Sequence, residues 1–85
     1  MSDLHVLAEI PKGRDRLRVA LDVYGGRRIV DIRVCAKLSE TSDIWTPTRK
    51  GVAFAIEKLP DIAQAVASAE RLARELGWLT DAVAA

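Results

Sequence analysis

The sequence predicts an α+β fold, with antiparallel strands first and a single amphipathic helix at the C-terminal end, and three observations predict it. Val30 to Lys37 alternates, with Val30, Ile32, Val34 and Ala36 on one side and Asp31, Arg33, Cys35 and Lys37 on the other, the period of a half-buried strand. Leu17, Val19, Leu21 and Val23 alternate in the same way just before Gly25-Gly26, a pair suited to a two-residue hairpin turn. From Leu59 the apolar residues recur at helical spacing instead.

With Gly25-Gly26 as the turn, Val19 meets Ile32, Leu21 meets Val30 and Leu17 meets Val34. The apolar rows then coincide, whereas a slip of one residue would put them on opposite faces. The same register sets Arg18 opposite Arg33, and like charges facing across a hairpin destabilise it. Two arrangements remove that repulsion. One is an anionic ligand bound between the arginines; the other is Asp31, diagonal to Arg18 and two residues from Arg33.

The remaining elements follow in order. Leu4 to Ile10 alternates weakly and reads as a short strand, ended by Pro11 and Lys12-Gly13, with His5 on its polar side. Leu38 to Ile44 lacks any period and reads as a loop. Ile44-Trp45-Thr46 suits a short third strand and Val52 to Ile56 a fourth, separated by a Pro47-Thr48-Arg49-Lys50-Gly51 turn with two cations at its tip. In the helix, Pro60 suits the first positions and Asp61 the first turn. Leu59, Ile62, Ala63, Val66, Ala69, Leu72, Ala73 and Leu76 share one stripe, and Gly77 follows as a cap. Trp78 and Leu79, just past it, are expected to pack back or to meet another subunit. The chain divides into an N-terminal strand or arm (1–13), a binding domain (14–79, with the sheet over 15–57 and the helix over 59–76) and a tail (80–85) that is expected to fray.

Eighty-five residues make one domain, small enough for oligomerisation to be expected. Neither a long apolar run nor a signal-peptide pattern is evident, and Cys35 is the only cysteine, which together suggest an intracellular, reducing setting. Net charge is only +1, but Pro11 to Val52 holds ten Lys or Arg against five Asp or Glu, whereas Leu59 to Ala85 holds two against four. An anionic partner for the first part is the natural reading. One His and one Cys on separate elements do not make a metal site or a catalytic pair. Asp22 and Asp31 lie among arginines that keep both ionised, and no glycine-rich phosphate loop opens a helix. No enzymatic activity, cofactor or metal is expected. A sheet face carrying Arg16, Arg18, Arg33 and Lys37, with Tyr24 beside Arg27 and the Arg49-Lys50 cations, is instead how single-stranded nucleic acid is held: charges track phosphates and rings stack on unpaired bases.

The order of strand, tight turn, Val30-Asp31-Ile32-Arg33, polar loop, Pro47-Thr48-Arg49-Lys50-Gly51, apolar strand and C-terminal helix resembles the single-stranded-DNA-binding domain of the transcriptional coactivator family called positive cofactor four. The Asp-Ile-Arg triplet and the Arg-Lys-Gly sequence are the sharpest points of likeness. The resemblance implies a curved four-stranded antiparallel sheet with the helix on one face, and a homodimer formed through the helix and sheet edges. It also implies largely sequence-independent binding of single-stranded or melted DNA, in a coactivator-like role in transcription. By position it makes Tyr24 a base-stacking ring and Arg27, Arg33, Arg49 and Lys50 its cationic companions, with Arg16, Arg18, Lys37 and Trp45 as secondary candidates.

The chain departs from the family at Ala36, where an aromatic is usual, and at Gly25, where lysine is frequent. Trp45 is placed either to supply the missing ring or to cover the sheet edge. The serine-rich and acidic N-terminal region of eukaryotic members has no counterpart, so their regulation by phosphorylation does not carry over. A chain of this size suggests a bacterial or phage homologue, in the cytoplasm on the nucleoid. An acidic protein partner such as the transcription machinery, or RNA, stands as the alternative ligand.

Overall fold

In a computed structural model, which describes residues 4–80, the chain forms β1 (His5–Lys12), β2 (Asp15–Tyr24), β3 (Arg27–Lys37), β4 (Trp45–Ala55), a 3-10 turn (Ile56–Lys58) and α1 (Leu59–Glu75). The strands make one antiparallel sheet in the order β1-β2-β3-β4. Apart from Thr80, the expected tail lies outside the described residues.

The β2–β3 hairpin has the register its alternation predicts, from Arg16 opposite Cys35 to Tyr24 opposite Arg27. Gly25 and Gly26 both take positive φ, 59° and 78°. That is the type I′ turn whose twist matches the strands it joins.

β1 is a full strand and continues through Pro11, which on a sheet edge need not donate to the ladder. An irregularity around Leu7 shifts its register, so His5 pairs with Leu21 on the apolar face and not on the polar side expected for it.

The segment Pro47 to Gly51 is not a turn between two strands. It lies inside the continuous β4, so the sheet reaches four strands by including β1. Between the pairs Cys35–Pro47 and Arg33–Gly51, Thr48, Arg49 and Lys50 stand opposite Val34 alone. This is a bulge, and it uses the same proline and glycine chemistry that a turn uses.

Ala20, Val30 and Cys35 are buried at the middle of the sheet, together with Asp31. Leu17, Val19, Leu21, Ile32, Val34 and Phe54 on the apolar face are only half-buried. The helix does not cover them, since within α1 only Leu59, Ile62 and Ala73 are even partly shielded. Val66, Leu72 and Leu76 are 64%, 53% and 50% exposed. Among the described residues of one chain, then, no helix lies over the sheet face. The radius of gyration is 15.4 Å, against about 12 Å for a compact domain of this length. The helix ends as Gly77 suggests, with the Trp78 N–H donating to the Ala73 carbonyl at 2.9 Å and the Gly77 N–H to Arg74 at 3.1 Å. Trp78 itself is exposed.

Candidate nucleic-acid interface

Pairing and alternation put Tyr24, Arg18 and Arg16 of β2 on one face with Arg27, Asp31, Arg33 and Lys37 of β3 and Trp45 of β4. Asp31 is the hub of this face. Its side chain, 12% exposed, accepts from Arg33 Nη2 at 2.7 Å and Nε at 3.1 Å, and from Arg18 Nη2 at 3.5 Å. Of the two ways to relieve the facing arginines, the carboxylate is the one in place. Its hydrogen bond and then its negative charge push the Arg33 pKa further up, so the guanidinium is charged at every working pH. Arg18 Nε is buried with no hydrogen-bond partner among the described residues.

Asp31→Asn removes the charge that both arginines share. It is expected to destabilise the fold by about 2 kcal/mol, a fall in Tm of roughly 10 °C. Thermal unfolding followed by circular dichroism measures it, and an unchanged Tm would deny Asp31 this role.

Arg33 also reaches across to β4, where its Nη1 donates to the carbonyls of Thr48 and Arg49, each at 3.4 Å. The Thr48 hydroxyl donates to the Val34 carbonyl at 2.8 Å and accepts from the Lys50 N–H at 3.1 Å. Gly51 closes the bulge at φ 148°, and a Cβ there would lie 2.3 Å from the Ile32 carbonyl oxygen. Held this way, Arg49 and Lys50 are exposed, and their side chains make no ion pair within the described residues. Sequence reasoning missed Thr48, because a threonine among turn-like residues carries no mark of what its hydroxyl will bind.

At the hairpin end Tyr24 is 78% exposed, with the exposed Arg27 as its cross-strand neighbour. At the opposite end Trp45 is half-buried, with the Arg16 guanidinium 4.3 Å and the Lys37 ammonium 5.0 Å from its ring centroid. Each such contact is worth about 0.5–1 kcal/mol. Arg16 also pairs with Glu9 at 2.9 Å.

The candidates thus fall into three groups. Among the described residues Tyr24, Arg27, Arg49 and Lys50 present uncommitted side chains; Arg18 and Arg33 are tied to Asp31; Arg16 and Lys37 sit against Trp45. Ala36 pairs with Thr46 and alternates onto the opposite face from Arg33, while Trp45 shares the face of Arg33. Among the described residues no three His, Cys, Asp or Glu side chains gather as a metal site needs.

No protein-family model matches the chain, and no curated protein does. Solved structures do. A PC4 homologue from Burkholderia pseudomallei matches in its tetragonal crystal form with a TM-score of 0.66 at 28% identity, covering 80% of this chain and 98% of that one. Its orthorhombic form gives a TM-score of 0.67 at 29% identity, over 79% of this chain and 89% of that one. A bacteriophage T5 homologue of the eukaryotic transcription coactivator PC4, implicated in recombination-dependent DNA replication, shares the fold with a TM-score of 0.58 at 21% identity, over 88% of this chain and 82% of that one. The fold and the face together define a small sheet-and-helix protein with a cationic, aromatic-tipped sheet surface. It is similar in fold to PC4 homologues from a bacterium and a phage, and in sequence to the bacterial one at 28–29% identity.

Proposed function

We propose that this protein binds single-stranded DNA across the cationic face of its sheet, largely without regard to sequence, and serves a PC4-like coactivator role in transcription. The observation that carries this reading is the set of groups on that face and its bulged edge that are uncommitted among the described residues: Arg27, Arg49 and Lys50 with no ion pair there, and Tyr24 with its ring open to solvent. Phosphates take the cations, and an unpaired base takes the ring. A duplex, whose bases are already stacked, has no use for Tyr24. Likeness to a PC4 homologue at 28–29% identity supports the same reading. The bare helix stripe and the half-covered sheet face support a homodimer in which each copy shields the other's apolar surface.

Fluorescence anisotropy of a labelled single-stranded 20-mer, titrated at several salt concentrations, is the test. Wild-type protein should bind in a salt-sensitive way that duplex competes poorly. Arg49→Ala/Lys50→Ala should reduce the slope of log affinity against log salt by about 1.4, at about 0.7 per phosphate contact. Tyr24→Ala should lose about 1–3 kcal/mol of binding with the slope unchanged. No binding at low salt would end the reading, and stronger competition by RNA would reassign the nucleic acid.

A further inference from the structure

We propose that Arg33 is a positioning residue for the Arg49-Lys50 bulge and makes no phosphate contact of its own, an inference that rests on reading this face as a single-stranded-DNA site. Arg33 has five N–H donors. Its bonds to Asp31 and to the carbonyls of Thr48 and Arg49 engage all three guanidinium nitrogens. One edge of the planar fork is locked on a buried carboxylate, and the other is turned to the β4 backbone. The side chain is 23% exposed, whereas Arg49 and Lys50 are open.

The bulge needs such a clamp. Thr48, Arg49 and Lys50 stand opposite a single residue of β3, so they cannot all continue the ladder. Arg33 takes two of their carbonyls, and the Thr48 hydroxyl ties the same segment to Val34 and to the Lys50 N–H. Gly51 lets the strand return against Ile32. Two adjacent cations are thereby fixed before any ligand arrives, which removes part of the ordering cost that binding would otherwise carry. A lysine cannot replace this arginine, because an ammonium is a point donor and cannot bridge a carboxylate and two carbonyls in one plane.

The experiment is a double-mutant cycle with the same single-stranded 20-mer, comparing wild type, Arg33→Lys, Arg49→Ala/Lys50→Ala and the triple variant. Lysine retains the charge beside Asp31, so the fold is kept, and it would also retain a simple phosphate contact. Arg33→Lys should weaken binding about fivefold in the wild-type background and less than about twofold when Arg49 and Lys50 are already alanine. Equal losses in the two backgrounds, or no loss in the wild-type background, would overturn the proposal.

A second readout needs no DNA. ¹⁵N relaxation should give the Arg49 and Lys50 amides order parameters of about 0.85 in the wild type, falling below about 0.6 in Arg33→Lys. Thr48→Val should loosen the same amides and Thr48→Ser should restore them. Amides that stay rigid in Arg33→Lys would overturn the proposal even with binding intact. If wild-type protein binds no DNA, the DNA reading fails by itself, and the relaxation result still decides whether Arg33 holds the bulge.

Discussion

Gly51→Ala is expected to be the most damaging single-methyl change in the sheet, destabilising the protein by about 4 kcal/mol, or roughly 20 °C in Tm. The added carbon would lie 2.3 Å from the Ile32 carbonyl oxygen and 2.8 Å from Arg33 Cα. Both are backbone atoms of the neighbouring strand, so no side chain can swing aside to make room. The φ of 148° adds backbone strain for any residue with a Cβ. Relief would require β3 and β4 to separate where the bulge returns to the ladder, and that would also release Arg33 from the Thr48 and Arg49 carbonyls. Gly25→Asn is the comparison: its φ of 59° is tolerated by asparagine and nothing lies within 4 Å. Thermal melts of both variants measure the contrast. A Gly51→Ala protein as stable as Gly25→Asn would mean that β3 and β4 do not approach as closely as described.

The second large effect is expected from Leu72→Asp in α1. Leu72 is 53% exposed in the single chain, beside Val66 and Leu76 on a stripe that its own sheet leaves bare. If two copies cover these stripes, each buried leucine contributes about 2 kcal/mol or more, and a symmetric interface counts it twice. A carboxylate there also has to be desolvated. The dimer should weaken by at least about 5 kcal/mol, several thousandfold in Kd. Light scattering coupled to size exclusion should then find the wild type at twice the 9.3 kDa chain mass and the variant as monomer or unfolded chain. A folded, soluble dimer of Leu72→Asp would show that some other surface joins the copies.

The β2–β3 hairpin was legible in the sequence because two constraints agree there. Both strands alternate, and only the register centred on Gly25-Gly26 brings Leu17, Val19 and Leu21 against Val34, Ile32 and Val30. The helix was legible for a similar reason, with an apolar stripe, Pro60 near the start and Gly77 at the end agreeing on its bounds to within a residue.

β4 was not legible as one strand. Pro47 and Gly51 are the residues a turn would use, and what separates a turn from a bulge is the strand lying alongside, which local sequence does not carry. The bulge in β1 reversed His5 for the same reason, since one extra residue inverts the side chains on one side of it relative to those on the other. In the candidate site, the sequence located the cations without telling committed ones from free ones. Arg33 and Arg49 look alike as letters. They differ because Arg33 faces Asp31 and two bulge carbonyls, whereas Arg49 is exposed and makes no ion pair among the described residues. Asp31 could be seen as one answer to the facing arginines, but choosing it over a bound anion required its burial and its distances.

The exposed stripe of α1 has a consequence for how the protein responds to dilution. If a second copy covers the apolar surface that one chain leaves bare, folding and assembly become one equilibrium, and its position depends on how many copies share a volume. Melting should shift upward with protein concentration, and a dilute preparation should lose structure that a concentrated one keeps. Scarcity would then be enough to expose these chains to proteolysis, so abundance would be regulated in part by the helix itself.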